Sequence, residues 1–276
     1  MPETDWVKIK WFDYPNVKKA ILQIPVSFTG IEQTQFLQLD TGTPESILFG
    51  YQLHQLLKDD PRLNNDSISF NGKIGNHTFS NFKFKHRKDL GKGRADQGQE
   101  KIGLLGADFL KGKILIIDFK NNRFIISVDP NVIQETGYDF EFIQTHKNPA
   151  NVIVLGITLN EHHIPNVLYD TGSSRFTLSL NYKEDWEKFA GHFEKEDLKK
   201  SRIGNMIGNY YSYEAKISGE LKIGNLIVED PAVSYKDTDL YETSPLSGTL
   251  GNETFFKFCI VMDFINFRFG YSTNLK

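Results

Sequence analysis

Cysteine is nearly absent from this sequence, and long apolar runs are absent altogether. The 276 residues include a single cysteine, Cys259, so the fold must stand without an internal disulfide bond. Cys259 lies in an apolar run, which favours a buried small side chain over a reactive thiol. No stretch approaches the roughly 20 apolar residues of a membrane-spanning helix, so we expect no membrane span.

The net charge is close to zero, and no region concentrates one sign. The chain has 32 basic and 35 acidic side chains, which gives a net charge of −3. This balance gives no reason to expect nucleic acid or an anionic membrane as a partner. The first residues lack the apolar segment of a signal peptide. We therefore expect a cytoplasmic protein, with export and removal of a signal as the alternative.

The same series of motifs occurs twice in the chain. Asp-Thr-Gly-Thr at residues 40–43 follows one apolar run, and Asp-Thr-Gly-Ser at residues 170–173 follows another. Each copy is followed by Lys-Ile-Gly-Asn, and then by an apolar segment whose last glycine lies 12 residues before an Asp-Phe pair. Two halves built on one plan explain this order. We predict an N-terminal lobe at residues 1–134, a linker at residues 135–149 and a C-terminal lobe at residues 150–276.

Most secondary-structure signals are those of strands. Runs rich in Ile, Val and Phe, bounded by Gly, Asn, Asp or Pro, predict strands at 20–28, 66–70, 114–119, 123–128, 152–159, 211–217, 219–223 and 259–264. Hairpin turns are expected at residues 121–122 and 265–266. Spaced apolar residues predict short amphipathic helices within residues 46–58 and 182–200. We therefore predict an all-β fold with internal pseudo-twofold symmetry and a few short helices.

The two aspartates of the repeated motif are the candidate catalytic residues. A carboxylate at the end of a buried strand has its charged form disfavoured by desolvation. If a pseudo-twofold axis relates the halves, Asp40 and Asp170 meet at that axis and share one proton. Such a pair can hold a water molecule, take its proton and donate another to a carbonyl oxygen. The pattern therefore predicts hydrolysis of an amide without a covalent intermediate.

The residues that follow each aspartate have supporting roles in this hypothesis. Glycines allow the backbone to approach the other copy closely, threonine hydroxyls bond across to it, and the next hydroxyl donates to its own aspartate. These residues are, in the same order, Gly42 and Gly172, Thr41 and Thr171, and Thr43 and Ser173. The alternative is that both copies are Asx-type turns of a duplicated β-domain, although turns alone do not explain the matching motifs downstream.

These motifs closely resemble those of the pepsin-like and retropepsin-like aspartic proteases. The resemblance spans roughly residues 20–271, and residues 250–270 look like the carboxy-terminal signature of pepsin-type enzymes. It implies a bilobal aspartic-protease fold in which Asp40 and Asp170 form the catalytic dyad at a cleft between the lobes, with no metal ion and no cofactor. It implies that residues 104–106 and 249–251 pack behind the two active-site loops.

The resemblance also implies how the protein is used. We expect a peptide or protein substrate bound in an extended conformation, with large apolar residues beside the scissile bond. We expect inhibition by statine-type compounds such as pepstatin, and a monomer. The function predicted is that of an aspartic endopeptidase. The alternative is a catalytically silent binding or inhibitor protein with the protease fold, because fold does not determine function.

The hairpin that covers the cleft departs from the pepsin pattern. In pepsin-like enzymes the first lobe supplies a glycine-rich flap with a tyrosine, and the first half of this chain has neither residue at a plausible position. The second half has glycines at 204 and 208 followed by Tyr210, Tyr211 and Tyr213. We expect the main flap to come from this second half. The alternative is that these tyrosines only fill a strand pair.

Overall fold

The computed structural model describes residues 5–95, 98–191, 193–204, 208–272 and 274, which form a mostly β protein, as predicted. The strands before residue 130 are β1 (Val7–Lys8), β2 (Lys10–Tyr14), β3 (Val17–Phe28), β4 (Gln35–Leu39), β5 (Ile47–Phe49), β6 (Ser67–Ile74), β7 (His77–Arg87), β8 (Gly103–Leu105), β9 (Ile114–Asp118) and β10 (Arg123–Ser127). Those after it are β11 (Glu141–Gln144), β12 (Val154–Leu159), β13 (His162–Tyr169), β14 (Leu178–Leu180), β15 (Lys199–Gly204), β16 (Asn209–Lys216), β17 (Glu220–Ile223), β18 (Leu226–Glu229), β19 (Ala232–Asp237), β20 (Gly248–Leu250), β21 (Cys259–Asp263) and β22 (Arg268–Ser272).

The helices are short and lie between these strands. The α-helices are α1 (Gly50–Leu57), α2 (Lys92–Ala95), α3 (Ala107–Leu110), α4 (Val132–Glu135) and α5 (Lys183–Ala190). Single 3₁₀ turns are formed by Pro61–Asn64, Lys195–Asp197, Asp239–Tyr241 and Asn252–Phe255. Within the described part of the chain, no helix has the length and apolar character needed to cross a membrane.

The strands of the described residues form three sheets. A seven-stranded sheet with the order β2-β3-β4-β8-β5-β7-β6 is built from the first half of the chain. A nine-stranded sheet with the order β15-β16-β19-β14-β20-β13-β12-β17-β18 is built from the second half. The third sheet, which we call the shared sheet, has the order β1-β10-β9-β21-β22-β11. Because β9 pairs with β21, backbone hydrogen bonds join the two halves directly.

The register of the shared sheet has a local twofold arrangement. Ile116 pairs with Val261, while Ile114 pairs with Asp263 and Asp118 pairs with Cys259. Asp118 and Asp263 both end their strands and both begin a hairpin, so they hold the same position in the two halves. Ile116 and Val261 each lie two residues before these aspartates, so they are equivalent positions of the two halves. These two equivalent residues pair with each other. A twofold axis between β9 and β21 requires this register.

The strands at this axis are buried along their whole length. Every residue of β9 and of β21 is buried, and Cys259 is only 2% exposed, which confirms the prediction of a buried cysteine. The two hairpin turns expected from the sequence connect β9 to β10 and β21 to β22. These buried strands form the base on which the candidate site is built.

The two predicted helices are shorter than the sequence suggested. The helix expected within residues 46–58 begins only at Gly50, because Ile47–Phe49 forms a buried strand that pairs with both β7 and β8. The helix expected within residues 182–200 ends at Ala190, because Gly191 adopts a φ of +91°. The remainder of that segment contains a 3₁₀ turn and the start of β15.

The segment at residues 135–149 is more than a connection. It contains β11, which pairs with β22 in antiparallel orientation at the edge of the shared sheet. At the other edge, β1 pairs with β10 in the same way. The shared sheet therefore has a matching extra strand on each side.

Candidate active site

The two Asp-Thr-Gly loops begin where two strands end. β4 ends at Leu39 and β13 ends at Tyr169, and each strand runs parallel to a neighbour, β8 or β20 respectively. The amide of Asp40 donates to the carbonyl oxygen of Leu105 at 3.0 Å, and the amide of Asp170 donates to that of Leu250, also at 3.0 Å. Residues 104–106 and 249–251 thus lie behind the two loops, and both aspartates leave their strands in the same way.

The two loops are hydrogen-bonded to each other through their threonines. The amide of Thr41 donates to Oγ1 of Thr171 at 3.0 Å, and the amide of Thr171 donates to Oγ1 of Thr41 at 3.1 Å. Each hydroxyl in turn donates across the interface, from Thr171 to the oxygen of Leu39 at 3.0 Å and from Thr41 to that of Tyr169 at 3.4 Å. Both threonines are fully buried, so water does not compete for these bonds.

Each glycine lies against the carboxyl group of the opposite loop. A Cβ atom on Gly42 would lie 2.4 Å from Cγ of Asp170, and one on Gly172 would lie 2.7 Å from Cγ of Asp40. Real side chains cannot approach so closely, so these positions accept only glycine while the carboxyls stay in place. The amides of Gly42 and Gly172 donate to Oδ1 of Asp170 at 3.0 and 2.7 Å. This close approach brings Asp40 and Asp170 together.

The two carboxyl groups form an electrostatically coupled pair. Burial, followed by repulsion from Asp170, raises the pKa of Asp40 above its ordinary range, while the charge of Lys101 opposes the rise. Burial also raises the pKa of Asp170, against the effect of the two glycine amides. Asp40 accepts one amide bond, from Thr43 at 3.1 Å, and Asp170 accepts two. Asp170 is therefore the better-stabilised anion, and the shared proton resides mainly on Asp40.

The hydroxyl of Thr43 is placed differently from the prediction. The amide of Thr43, rather than its hydroxyl, donates to the carboxylate of Asp40, and the hydroxyl donates to the oxygen of Glu45 at 3.5 Å. The amide of Ser173 donates to the main-chain oxygen of Asp170 at 3.1 Å. The predicted hydroxyl support is thus replaced at Asp40 by a backbone amide, because the tight turn points that amide at the carboxylate.

Comparison with known proteins assigns no family to this chain: no protein-family model matches it, and no curated protein matches it significantly. The geometry of the paired loops carries the functional interpretation alone. Among the residues that the structure describes, no group of three or more His, Cys, Asp or Glu side chains is arranged to hold a metal ion.

The aspartates lie at a cleft of about 870 Å³ that both halves line. Gln38 and Lys101 from the first half, and Tyr210 and Lys236 from the second, are among the lining residues. The glycine-rich stretch that begins at Gly91 also reaches this cleft, where α2 forms a single helical turn. The paired carboxyls are thus among the lining residues of a cleft that the two halves share.

The candidate flap is a hairpin formed by β15 and β16. Ile203 pairs with Tyr210, and both line the cleft, while residues 205–207 lie outside the described part of the chain. Tyr211 is 45% exposed, and Tyr213 is buried against the ring of Tyr235, with centroids 5.4 Å apart. Of the three tyrosines predicted as flap candidates, Tyr210 is thus the one among the lining residues of the cleft.

Two buried lysines beside the aspartates were not anticipated from the sequence. Lys101 is 1% exposed and donates to Oε1 of Gln38, two residues before Asp40. Lys236 is 7% exposed and donates to Oδ1 of Asn181 at 2.5 Å and to Oγ1 of Thr249 at 3.2 Å. A polar Gln38 inside an apolar strand was the one sequence signal that pointed to a polar environment there.

A buried asparagine braces the second loop. Asn252 donates through Nδ2 to the oxygen of Thr171 at 2.8 Å and to Oγ of Ser174 at 2.7 Å. Its Oδ1 accepts a bond from the hydroxyl of Tyr169 at 2.7 Å. The equivalent residue after Gly106 in the first half is an alanine, so this brace is specific to the second loop.

Proposed function

We propose that this chain is an aspartic endopeptidase of the pepsin-like and retropepsin-like kind, with residues 1–134 and 150–276 as its two lobes. The observation that carries the proposal is the reciprocal contact of the two Asp-Thr-Gly loops. Each glycine lies against the other loop's aspartate, and the threonines exchange hydrogen bonds. Two independent turns would form without this exchange of hydrogen bonds. A catalytic carboxyl pair requires it, because the exchange holds the two groups in a fixed geometry.

In this proposal the two aspartates have different tasks. A water molecule lies between them, and the ionised Asp170 takes a proton from it as the oxygen attacks the peptide carbonyl carbon. The proton on Asp40 passes to the carbonyl oxygen, which gives a tetrahedral diol. The proton now on Asp170 then passes to the amide nitrogen as the carbon–nitrogen bond breaks. Asp40 recovers its proton from the diol as the new carboxylic acid forms, so no covalent intermediate is needed.

The shape of the site supports a peptide as the substrate. An extended chain placed across the cleft can bond through its backbone in the manner of an added strand. The described strands of the β15–β16 hairpin, with Tyr210 among the lining residues of the cleft, are proposed to cover that chain. We propose that the working flap belongs to the second half.

The test is cleavage of an unfolded protein substrate between pH 3 and pH 8. Wild type should cleave, and Asp40→Asn and Asp170→Asn should each abolish cleavage. Asp89→Asn is the matched control, because Asp89 lines the same cleft but is bound to the guanidinium of Arg87, at 3.0 and 3.1 Å. Pepstatin, whose hydroxyl mimics the tetrahedral intermediate, should bind wild type far more tightly than either dyad variant.

The same assay decides against the alternative of a silent binding protein. Folded wild type that cleaves nothing at any pH, yet binds peptides, would favour that alternative. Cleavage that survives both dyad substitutions would instead assign the activity to another site or to a contaminant.

A further inference from the structure

The cleft has a charge opposite in sign to that of the whole chain. Its described lining includes five basic side chains, which are Lys92, Lys101, Arg175, Arg202 and Lys236. It includes three acidic side chains, and the dyad supplies two of them. Because the dyad shares one proton, these acids carry about two negative charges at neutral pH. The cleft therefore has an excess of positive charge in a chain whose net charge is −3.

In the second half, Lys236 lies close enough to the dyad for its charge to act on Asp170. It follows Tyr235 in β19, next to β14, and its ammonium group is held by two neutral oxygens, those of Asn181 and Thr249. The ammonium also lies over the ring of Tyr241, 4.1 Å from its centroid. The ring and the two oxygens fix the direction of the side chain, so this cation is built into the wall of the cleft.

The buried position of Lys236 carries a desolvation cost. Burial lowers the pKa of Lys236 to about 8, although attraction to Asp170 opposes this fall. The group still carries a proton at neutral pH, and its direct partners are neutral. A buried cation is stabilised strongly by a carboxylate within hydrogen-bond distance. A substrate that supplies such a carboxylate would gain binding energy that an apolar side chain cannot.

Two further cations line the same cleft. Arg175 follows the second Asp-Thr-Gly loop and lies against the ring of Phe176, with its guanidinium carbon 5.0 Å from the centroid. Arg202 is exposed on β15, a strand of the hairpin that lines the cleft. A negative side chain that enters from solvent thus meets an exposed cation first and a buried one deeper in the cleft.

We propose that Lys236, assisted by Arg175, forms a subsite that takes an acidic side chain of the substrate, glutamate or aspartate, beside the scissile bond. This inference rests on the proposed endopeptidase function, since it names the substrate class of that site. It replaces the expectation of large apolar residues beside the scissile bond with a preference for a carboxylate on one side of that bond.

The first experiment digests a mixed library of acetylated and amidated peptides and records which residues flank each cleaved bond. Glutamate or aspartate should be enriched at one flanking position. Matched peptides that differ only there, with Glu, Gln, Leu or Lys, then give kcat/KM values. A charge-assisted bond in a buried site predicts a roughly 10- to 100-fold preference for Glu over Gln. Blocked termini ensure that the carboxylate tested is that of the side chain.

The second experiment changes the subsite. Lys236→Met should reduce the Glu-to-Gln ratio to within about twofold, Lys236→Arg should retain part of it, and Arg175→Gln should lower it less than Lys236→Met does. Lys222→Met is the matched control, because Lys222 is an exposed lysine paired with Glu220 and should keep the full ratio. Thermal unfolding establishes that each variant is folded, and Arg175→Gln tests the subsite even if Lys236→Met is unstable.

The outcomes separate this inference from the proposed function. Cleavage with equal rates for Glu and Gln, or a Glu preference unchanged in Lys236→Met, would overturn the acidic subsite and leave the endopeptidase intact. If wild type cleaves nothing, binding of the same peptides by fluorescence anisotropy still decides the matter. A Glu preference in binding that depends on Lys236 would support the subsite without the enzyme.

Discussion

Thr41 and Thr171 each hold the other's main-chain amide through a side-chain oxygen, at 3.0 and 3.1 Å, although 130 residues separate them. The bonds are reciprocal, so a shift of one loop breaks contacts of both. This mutual attachment fixes the separation of the two aspartates more firmly than either half of the chain could alone.

Removing one hydroxyl should therefore weaken the protein and the site together. Thr171→Val keeps the shape of the side chain but leaves the buried amide of Thr41 and the oxygen of Leu39 without their partner. We expect a loss of about 1–3 kcal/mol in the free energy of unfolding, measured by urea denaturation, and a fall in kcat. Thr171→Ser, which retains the hydroxyl, should keep most of both. Equal losses in the two variants would contradict a role for the hydroxyl.

Adding a methyl group at Gly42 should displace the dyad. The new Cβ of Gly42→Ala would lie 2.4 Å from Cγ of Asp170, a distance that requires the carboxyl to move. We expect kcat/KM to fall at least about 100-fold, since a misplacement near 1 Å is enough for such a loss. Gly93→Ala is the control, because its Cβ would meet no atom within 4 Å. Comparable activity of the two alanine variants would refute the close contact.

The dyad should make the protein less stable as the pH rises. The pKa of Asp40 is raised on folding, so the folded state holds its proton while the unfolded state has lost it. The resulting loss in the free energy of unfolding is absent below the unfolded pKa of Asp40, near 4, and grows as the pH rises above it. Asp40→Asn should then be more stable than wild type at pH 7, by at least about 1.4 kcal/mol, and equal to it near pH 3.

A suitable control for this stability measurement is Asp89→Asn. The side-chain hydrogen bond from Arg87 lowers the pKa of Asp89, which is the opposite direction. This substitution should give no gain at pH 7. Urea denaturation at the two pH values measures both variants, and a dyad variant less stable than wild type at pH 7 would show that the pair is not strained by its charge.

Tyr210 and Tyr211 offer a matched test of the flap. Tyr210 lines the cleft and is 9% exposed, while the neighbouring Tyr211 is 45% exposed. Tyr210→Ala should lower kcat/KM about tenfold or more, because the bound peptide loses its cover and its position. Tyr211→Ala should leave kcat/KM close to wild type. The reverse order of effects would place the other tyrosine over the substrate.

Asp118 and Asp263, which begin the two hairpins of the shared sheet, should affect stability in the opposite way from the dyad, because their charged forms stabilise the folded protein. Although burial raises the pKa of Asp118, hydrogen bonds from Asn121, Arg123 and Tyr138 together lower it below its ordinary value. The ionised carboxylate of Asp118 therefore stabilises the folded protein above the unfolded pKa of about 3.8. This contribution is lost as the pH falls through the folded pKa. Asp118→Asn should cost about 2–4 kcal/mol at pH 7, and less in acid.

The equivalent substitution tests the symmetry of the two hairpins. Asp263 accepts bonds from Asn266 and Arg268 at 2.8 Å each, so Asp263→Asn should cost a similar amount. Asp13→Asn, an exposed aspartate paired with Lys18, should change the stability little. Acid-unfolding curves of the three variants provide the comparison. A neutral effect at both hairpins would show that their carboxylates are dispensable.

Local patterns predicted much of this architecture because their physical causes are local. Apolar runs ended by Gly, Asn or Asp marked strands, and the repeated Asp-Thr-Gly marked the loops that meet. The start of α1 was missed because Ile47–Phe49 is a short apolar run, and periodicity alone does not distinguish such a strand from a buried helical turn. The role of the Thr43 hydroxyl was missed because it depends on the orientation of one amide within the turn.

The buried lysines were missed for a different reason. Lys236 lies in an ordinary mixed segment, and its burial results from strands distant in sequence, among them β14 and β16. Charge counts over the whole chain also conceal a basic cleft inside an acidic protein. Properties of this kind arise from tertiary packing, so a linear sequence carries little trace of them.

The pairing of β9 with β21 has a consequence for each half taken alone. A first half separated from the second would expose β9 as an edge strand, whose unpaired backbone groups can pair with a strand of another molecule. The strand whose pattern fits best is a second copy of β9, because Ile116 already faces its own counterpart across a twofold axis. The isolated half would thus be predisposed to form a symmetric homodimer, with two copies of Asp40 brought face to face where Asp40 and Asp170 now meet.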